Sequence, residues 1–175
     1  MAHVSTQILD AVKKAVQLEI DGRAFFEHAA DITGSELGKK MFQKLAQDEV
    51  QHLKTFGELF TRIIGDEEWK KFASDKSKTL SPLIDELNQR MTTREKEGRA
   101  GETEAIKIGM ELERNAIDFF ADAAKQTDDA TARQIFEKIS NEEKSHYDLL
   151  QAQYDSVTNS GFWMDIADFK MDGQY

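Results

Sequence analysis

Apolar residues recur with a helical period along most of this chain. Hydrophobic positions spaced i, i+3, i+4 and i+7 dominate four segments of about 25 residues or more, each longer than an average globular helix. We predict helices over about residues 5–32, 36–64, 103–126 and 130–157. Gly34-Ser35 and Asp128-Asp129 mark short turns, so the helices pair as two antiparallel hairpins, at about 5–64 and 103–157. The pattern therefore predicts an all-α four-helix bundle.

A long polar connection separates the two hairpins. It covers about residues 65–102, and the run REKEGRAGETE at 94–104 is charged and contains two glycines, which indicates solvated loop or fraying helix. A connection of this length can cross from one end of a bundle to the other. We expect one bundle domain over residues 1–157 and a C-terminal tail over 158–175 that packs on the bundle or on a partner. The apolar residues expected to cover that surface are Phe162, Trp163, Ile166 and Phe169.

The two halves of the chain repeat each other. A shift of 94 residues, without a gap, places Glu49 on Glu143 and His52 on His146. Thirteen of the 42 positions from Ala11 to His52 are identical across this shift. Shared amphipathicity would align apolar residues, but it would not align glutamates and a histidine as well. The sequence therefore predicts a duplicated helical hairpin that forms a pseudo-symmetric bundle.

Each predicted helix carries one glutamate in the middle of its apolar face. The residues seven positions before and after each glutamate are apolar, and residues seven apart lie on nearly the same side of a helix. On the second and fourth helices, a histidine follows three residues after the glutamate. The pattern predicts that these side chains meet inside the bundle. They are Glu19, Glu49, His52, Glu113, Glu143 and His146.

Four buried carboxylates need compensation. Each uncompensated buried ion costs several kcal/mol, and a neighbouring like charge raises the pKa of a carboxyl group. Protonation or a buried base would relieve this, and Arg23 is the main basic candidate in these stripes. Two divalent cations would supply a charge of +4 against the −4 of the glutamates, with neutral imidazoles completing the shells. One Glu from each of two helices and Glu-x-x-His from the other two is a known pattern for di-iron and di-manganese sites.

The motifs LEIDGRAFFEHAAD, DEVQH, LERNAIDFFADAAK and EEKSH resemble the rubrerythrin-like branch of the ferritin-like superfamily over nearly the whole chain. The resemblance implies a ferritin-like bundle that holds two iron ions per chain, with manganese or another divalent metal as an alternative. It implies that Glu49 and Glu143 bridge the metals. The other two glutamates would be terminal ligands, one on each metal, and the two histidines would supply one nitrogen each.

The resemblance also assigns residues around the ligands. Asp48 and Glu142 match positions that orient ligand histidines. Phe26 and Phe120 stand where tyrosines are common near such sites, and we expect them to pack around the metals. No catalytic residue separate from the metal ligands is implied.

Three departures from related families define the expected chemistry further. Rubrerythrins carry an extra glutamate three residues after the third-helix ligand, where this chain has Ala116. The methionine that binds haem in bacterioferritins is replaced by Val50, so no haem is expected. The chain has no cysteine, which excludes an iron–sulfur cluster, a rubredoxin module and a disulfide within it. Electrons would therefore come from an external donor protein.

Three functions remain open at this point. The first is an oxidoreductase in which a di-iron centre reduces peroxide or dioxygen, as a defence against oxidative stress. The second is a ferritin-type protein that oxidises and stores Fe(II). The third is a structural bundle without metal chemistry, in which the glutamates and histidines form a buried polar network.

Composition narrows the partners and the location. The net charge of −10 argues against nucleic acid and against an anionic membrane surface. The sequence contains no run of about 18 apolar residues, so we predict no transmembrane helix. The N-terminus does not resemble a signal peptide, and we therefore expect a cytoplasmic protein. The family resemblance implies a homodimer.

Overall fold

Four long helices make up most of the described structure. The computed structural model describes residues 6–67, 69, 89–90 and 99–168. The helices are α1 (Thr6–Ile32), α2 (Glu36–Ile64), α3 (Arg99–Gln126) and α4 (Ala130–Ser160), followed by a 3-10 turn at Ile166–Asp168. Helix α1 packs mainly on α2, and α3 packs mainly on α4. The predicted all-α four-helix bundle of two hairpins is confirmed.

Both hairpin turns end in a side-chain cap. Ser35 precedes α2, and its hydroxyl accepts a hydrogen bond from the backbone N–H of Gly38. Asp129 precedes α4, and its carboxylate accepts from the N–H of Ala132 at 2.8 Å. Such caps satisfy backbone donors that lack a partner in the first helical turn. Arg62, in the last turn of α2, also donates to Asp129, which ties the two hairpins together at this end of the bundle.

Helix α3 begins earlier than the sequence suggested. We predicted a start at about residue 103, after a run of solvated loop or fraying helix, whereas the helix begins at Arg99. Glu102 explains the difference, because its two carboxylate oxygens accept hydrogen bonds from the N–H of Gly34 and the indole N–H of Trp163. These contacts fix the first turn of α3 to the α1–α2 turn and to the tail. Gly101 is accordingly buried.

The C-terminal segment starts at Gly161. This residue ends α4 with a left-handed backbone (φ 75°), a conformation that glycine adopts without steric strain. Trp163 then packs its ring against Phe42 in an edge-to-face arrangement, with 6.1 Å between the centroids. Phe162 is 73% exposed, so it does not cover the bundle, and its carbonyl accepts a hydrogen bond from the Ser156 hydroxyl. Ile166 lies against the core.

Two apolar clusters fill the bundle. The first contains Phe25, Phe26, Phe42 and Leu45, and the second contains Phe56, Phe60, Phe120 and Phe136, each with further aliphatic neighbours. Along every helix, the predicted ligand positions fall between residues of one cluster and residues of the other. The polar site therefore lies at mid-length, with an apolar layer on each side.

The described residues include only part of the connection and of the tail. Most of the predicted connection over 65–102 lies outside the described residues, as does Phe169. Trp69 is described, and its ring packs on Phe60 with 5.3 Å between the centroids. In the described part, we find no helix with the length and apolar character needed to span a membrane.

Candidate metal centre

The structure brings the six sequence-predicted side chains together. Their donor atoms form two groups of four, and within each group one atom from every residue lies within 4.8 Å of the others. Two carboxylates, Glu49 and Glu143, belong to both groups. All six residues are buried, with exposed fractions of 7% or less. The groups are Glu19–Glu49–His52–Glu143 and Glu49–Glu113–Glu143–His146.

The two histidines turn the same ring atom towards the carboxylates. His52 Nδ1 lies 3.1 Å from Glu19, 3.3 Å from Glu49 and 3.0 Å from Glu143. The imidazole rings of His52 and His146 stack with 5.8 Å between their centroids. Both Nδ1 atoms are thereby placed at the same cluster of oxygens, as two metal-ligating nitrogens would be.

The shared glutamates divide their oxygens between the histidines. Glu143 Oε1 lies 3.0 Å from the Nδ1 of His52, and Glu143 Oε2 lies 2.8 Å from the Nδ1 of His146. Glu49 has the same arrangement, with Oε2 at 3.3 Å from His52 and Oε1 at 3.9 Å from His146. A carboxylate that presents one oxygen to each of two centres has the geometry of a bridge. Glu113 belongs to the group of His146, whose Nδ1 lies 3.5 Å from the Oε1 of Glu113.

The outer nitrogens of the histidines bind carboxylates of the opposite hairpin. His52 Nε2 lies 3.0 Å from Glu142 on α4, and His146 Nε2 lies 3.2 Å from Asp48 on α2. Burial disfavours ionised Asp48, but hydrogen bonds with His146 and Lys44 lower its pKa, and hydrogen bonding with His52 lowers the pKa of Glu142. Both carboxylates are therefore acceptors, so each Nε2–H is the donor. This leaves Nδ1 as the atom that can bind a metal.

Protons balance the charges of the cluster when no metal is bound. Burial raises the pKa of Glu19, and the neighbouring Glu49 charge raises it further. Burial and the Glu143 charge likewise raise the pKa of Glu113. Burial opposes charge on the histidines, but hydrogen bonds to carboxylates raise the pKa of both. Burial also disfavours ionised Glu143, yet hydrogen bonds from both histidines hold its pKa below the usual range.

The residues fit two divalent metals. Among the described residues, the buried side-chain oxygens without a hydrogen bond are Glu19 Oε1 and Glu113 Oε1, one in each group of four. Buried polar atoms normally have a partner, so each of these oxygens is available for a ligand that is not protein. Four carboxylates and two imidazole nitrogens are also the donor set expected for iron or manganese.

Arg23 does not neutralise the buried glutamates in place of metal ions. This residue is exposed, and its guanidinium pairs with Glu27 at 2.8 Å on the outside of α1. The alternative in which Arg23 compensates the glutamates is therefore wrong.

Packing around the site is aromatic, as expected for Phe26 and Phe120. Both rings are fully buried. Phe120 stacks on Phe56 with 5.4 Å between centroids, and Phe26 stacks on Phe42 with 6.3 Å. These rings close the two ends of the polar layer.

Two lysines belong to the same arrangement, and sequence reasoning missed them. Lys44 pairs with Asp48, and Lys138 lies 3.6 Å from Glu142. The signal was present, because the shift of 94 residues also places Lys44 on Lys138. Each half therefore carries Lys, an acidic residue, Glu and His in the same register, as K-x-x-x-[DE]-E-x-x-H.

Comparison with known proteins agrees with this geometry. The sequence matches the rubrerythrin family over residues 10–154, which include most of the four helices and all six cluster residues. The chain belongs to the rubrerythrin family. The resemblance that the motifs predicted is thereby confirmed, and the absence of cysteine means that this chain cannot form a rubredoxin-type iron site.

A solved structure shares the fold. A hypothetical protein from Pyrococcus furiosus superposes with a TM-score of 0.62 at 16% sequence identity, covering 90% of this chain and 94% of that chain. At this identity the likeness concerns the fold alone. No curated protein matches the sequence.

Proposed function

We propose that this rubrerythrin-family chain is a di-iron or mixed iron–manganese oxidoreductase that reduces peroxide or dioxygen. The observation that carries the proposal is the pair of four-residue groups that share Glu49 and Glu143. Shared carboxylates between two groups are the arrangement of a dinuclear site. Glu49 and Glu143 would bridge the metals. Glu19 with His52 would complete one shell, and the matching pair on the second hairpin would complete the other.

Two such metal ions, when bound, supply the electrons and Lewis acidity that reduction of an O–O bond requires. Reduction of hydrogen peroxide to two waters consumes two electrons and two protons. Four glutamates neutralise the metals and keep the centre uncharged within an apolar bundle. The rings of Phe26 and Phe120 are fully buried and limit the access of water.

Two carboxylates outside the metal-binding groups orient the histidines. Asp48 and Glu142 hold each histidine by its outer nitrogen. Both carboxylates are only partly buried, and each has a lysine beside it on the surface. Each lysine favours the ionised form of its carboxylate, which accepts the Nε2–H of the histidine and would hold the ring with Nδ1 towards the metals.

We further propose an external electron donor, a cytoplasmic location and a homodimer. The donor follows from the absence of cysteine, since an iron–sulfur module cannot be formed within this chain. The location and the dimer rest on the sequence and on family resemblance.

An anaerobic Fe(II) titration tests the proposal. We expect saturation at about two irons per chain, followed by oxidation on addition of peroxide or dioxygen, whose rates are then compared. The variant with Glu49→Gln and Glu143→Gln removes both shared carboxylate charges and is expected to abolish tight binding. Glu137→Gln is the matched control, because Glu137 is exposed on the same helix as Glu143.

The outcome separates the three functions considered above. Retention of many irons per chain, in an assembly of roughly the size of a ferritin shell, would favour storage. If the double variant binds iron as the wild type does, the site is wrong. If the wild type binds neither Fe(II) nor Mn(II), the cluster is a structural polar network and the proposal fails.

A further inference from the structure

Neither the backbone conformation nor close packing requires a glycine at position 22. It lies in the middle of α1, three residues after Glu19, with an ordinary helical backbone. A Cβ added there would meet Glu49 no closer than 3.5 Å, which is ordinary van der Waals contact. Glycine inside a helix is less favourable than alanine, because it loses more backbone freedom on folding. Alanine would therefore fit and would stabilise the helix.

Other glycines of the bundle differ in this respect. A Cβ at Gly38 would come within 2.7 Å of Thr33 and 2.8 Å of Trp163, and a Cβ at Gly57 would come within 2.8 Å of Trp69. Those glycines are required by packing. At Gly22 the missing methyl group instead leaves open space.

That space adjoins the metal site. A cavity of about 30 Å³ is lined by Gly22 and by all four cluster glutamates. It has room for one or two water-sized molecules, since each needs roughly 10–15 Å³. The two glutamate oxygens without a hydrogen bond belong to Glu19 and Glu113, which line this cavity and are each 2% exposed. The cavity is thus small and borders the carboxylates that would hold the metals.

The cavity has pseudo-symmetric walls and a neighbouring groove. The shift of 94 residues places Gly22 on Ala116, and both line the cavity, one from α1 and one from α3. Leu18 lines the same cavity and also a groove of about 850 Å³ between α1 and α3. Leu18 therefore lies between the groove and the cavity.

We propose that Gly22 is a specificity-determining residue that keeps a space of about two heavy atoms beside Glu49. This inference rests on the proposed function. Dioxygen and hydrogen peroxide fit the space, whereas branched organic hydroperoxides do not. Ala116 forms the opposite wall of the cavity. The width of the cavity therefore depends on the side chains at both positions.

Azide binding to the Co(II)-loaded protein tests this without turnover. Azide is a small linear anion, and its binding changes the visible absorption of Co(II). We expect Gly22→Ala to bind about two Co(II) per chain and to raise the Kd for azide at least tenfold. Gly101→Ala is the matched control, because a Cβ there meets no described side chain within 4 Å. That variant should match the wild type within twofold.

A second variant probes the opposite wall. Ala116→Gly widens the space, and we expect it to strengthen acetate binding at least tenfold relative to azide. Unchanged azide binding in Gly22→Ala would overturn the proposal, as would an unchanged acetate-to-azide ratio in Ala116→Gly. Loss of Co(II) from Gly22→Ala would also overturn it, because Gly22 would then serve Glu49. If both variants give the expected azide and acetate binding but the iron-loaded protein reduces neither peroxide nor dioxygen, the role of Gly22 is supported and the proposed function is wrong.

Discussion

His146 on α4 reaches across the bundle to Asp48 on α2, with 3.2 Å between its Nε2 and the Oδ2 of Asp48. His52 and Glu142 make the reciprocal contact at 3.0 Å. Each hairpin therefore orients the histidine of the other hairpin. Binding at the site depends on the correct docking of the two halves, although each half carries its own Glu-x-x-His motif.

Removing one of these outer carboxylate charges should weaken metal binding. In Glu142→Gln, the Nε2–H of His52 loses its charged acceptor, so the imidazole is less basic and less well oriented. Loss of such a partner typically lowers metal affinity about 10–100-fold. A chelator competition with Mn(II) measures this, with Glu137→Gln as the control. Equal affinities in the two variants would show that the cross-hairpin contact does not support the site.

Glutamine substitutions should separate the protonated glutamates from the ionised one in the metal-free protein. Burial raises the pKa of Glu19, so glutamine closely resembles the neutral acid that is already present. Hydrogen bonds from both histidines lower the pKa of Glu143, and breaking such a buried charged network costs about 3 kcal/mol or more. We expect Glu19→Gln to have little effect on the free energy of unfolding and Glu143→Gln to reduce it strongly.

Urea denaturation in the presence of a chelator gives both values. A loss in Glu19→Gln as large as that in Glu143→Gln would contradict the assignment. Metal counting on the same samples adds a second comparison, since Glu19→Gln should weaken one metal position and Glu143→Gln should weaken both.

The positions of the cluster residues could be predicted because two independent patterns fix them. Spacing of seven residues within each helix places Glu19 and Glu113 on the core face, and the duplication aligns them with each other. Other features depend on contacts between distant parts of the chain. The earlier start of α3 follows from Glu102, which contacts Gly34 and Trp163.

The hydrogen-bond partner of each histidine could not be predicted from the sequence either. Asp48 precedes His52 by four residues, a spacing that places both on one side of α2 and suggests a pair within the helix. In the structure, Asp48 instead binds His146. The choice is made by the packing of the hairpins, which brings α2 and α4 together with their histidine rings stacked. Periodicity describes the faces of helices, but it does not specify which residue of a facing helix lies opposite.

Metal binding should tighten as the pH rises and should release protons. The pKa values of Glu19, Glu113 and both histidines are raised, so these groups hold protons that a metal must displace. Each proton displaced lowers the Kd about tenfold per pH unit. Calorimetry of Mn(II) binding in two buffers of different ionisation enthalpy counts the protons. Release of none near neutral pH would contradict the prediction.

The same shifts set the pH dependence of stability. A group whose pKa is raised by folding stabilises the protein below its ordinary pKa, and this contribution is lost as the pH rises through the folded-state value. Metal-free protein should therefore lose stability as the pH rises above 4.5, the ordinary pKa of Glu19 and Glu113, and further above 6.5, the ordinary pKa of the histidines. Glu143 acts in the opposite direction, but its lowered pKa makes its contribution complete above its ordinary value of 4.5. The increase in Tm on adding Mn(II) should be larger at the higher pH.

The tail should be anchored through the packing of Trp163 on Gly38. A Cβ at Gly38 would lie 2.8 Å from the indole ring of Trp163. Because Gly38 is part of helix α2, its backbone cannot move away easily, so Gly38→Ala must displace the ring. Overpacking of this kind costs about 1–3 kcal/mol. We expect a lower Tm and a red-shifted tryptophan emission. Gly101→Ala, which adds the same methyl group without a described side chain within 4 Å, should show neither change. Unaltered emission in Gly38→Ala would mean that the tail adjusts freely, and that the hydrogen bond from Trp163 to Glu102 does not hold the start of α3 in place.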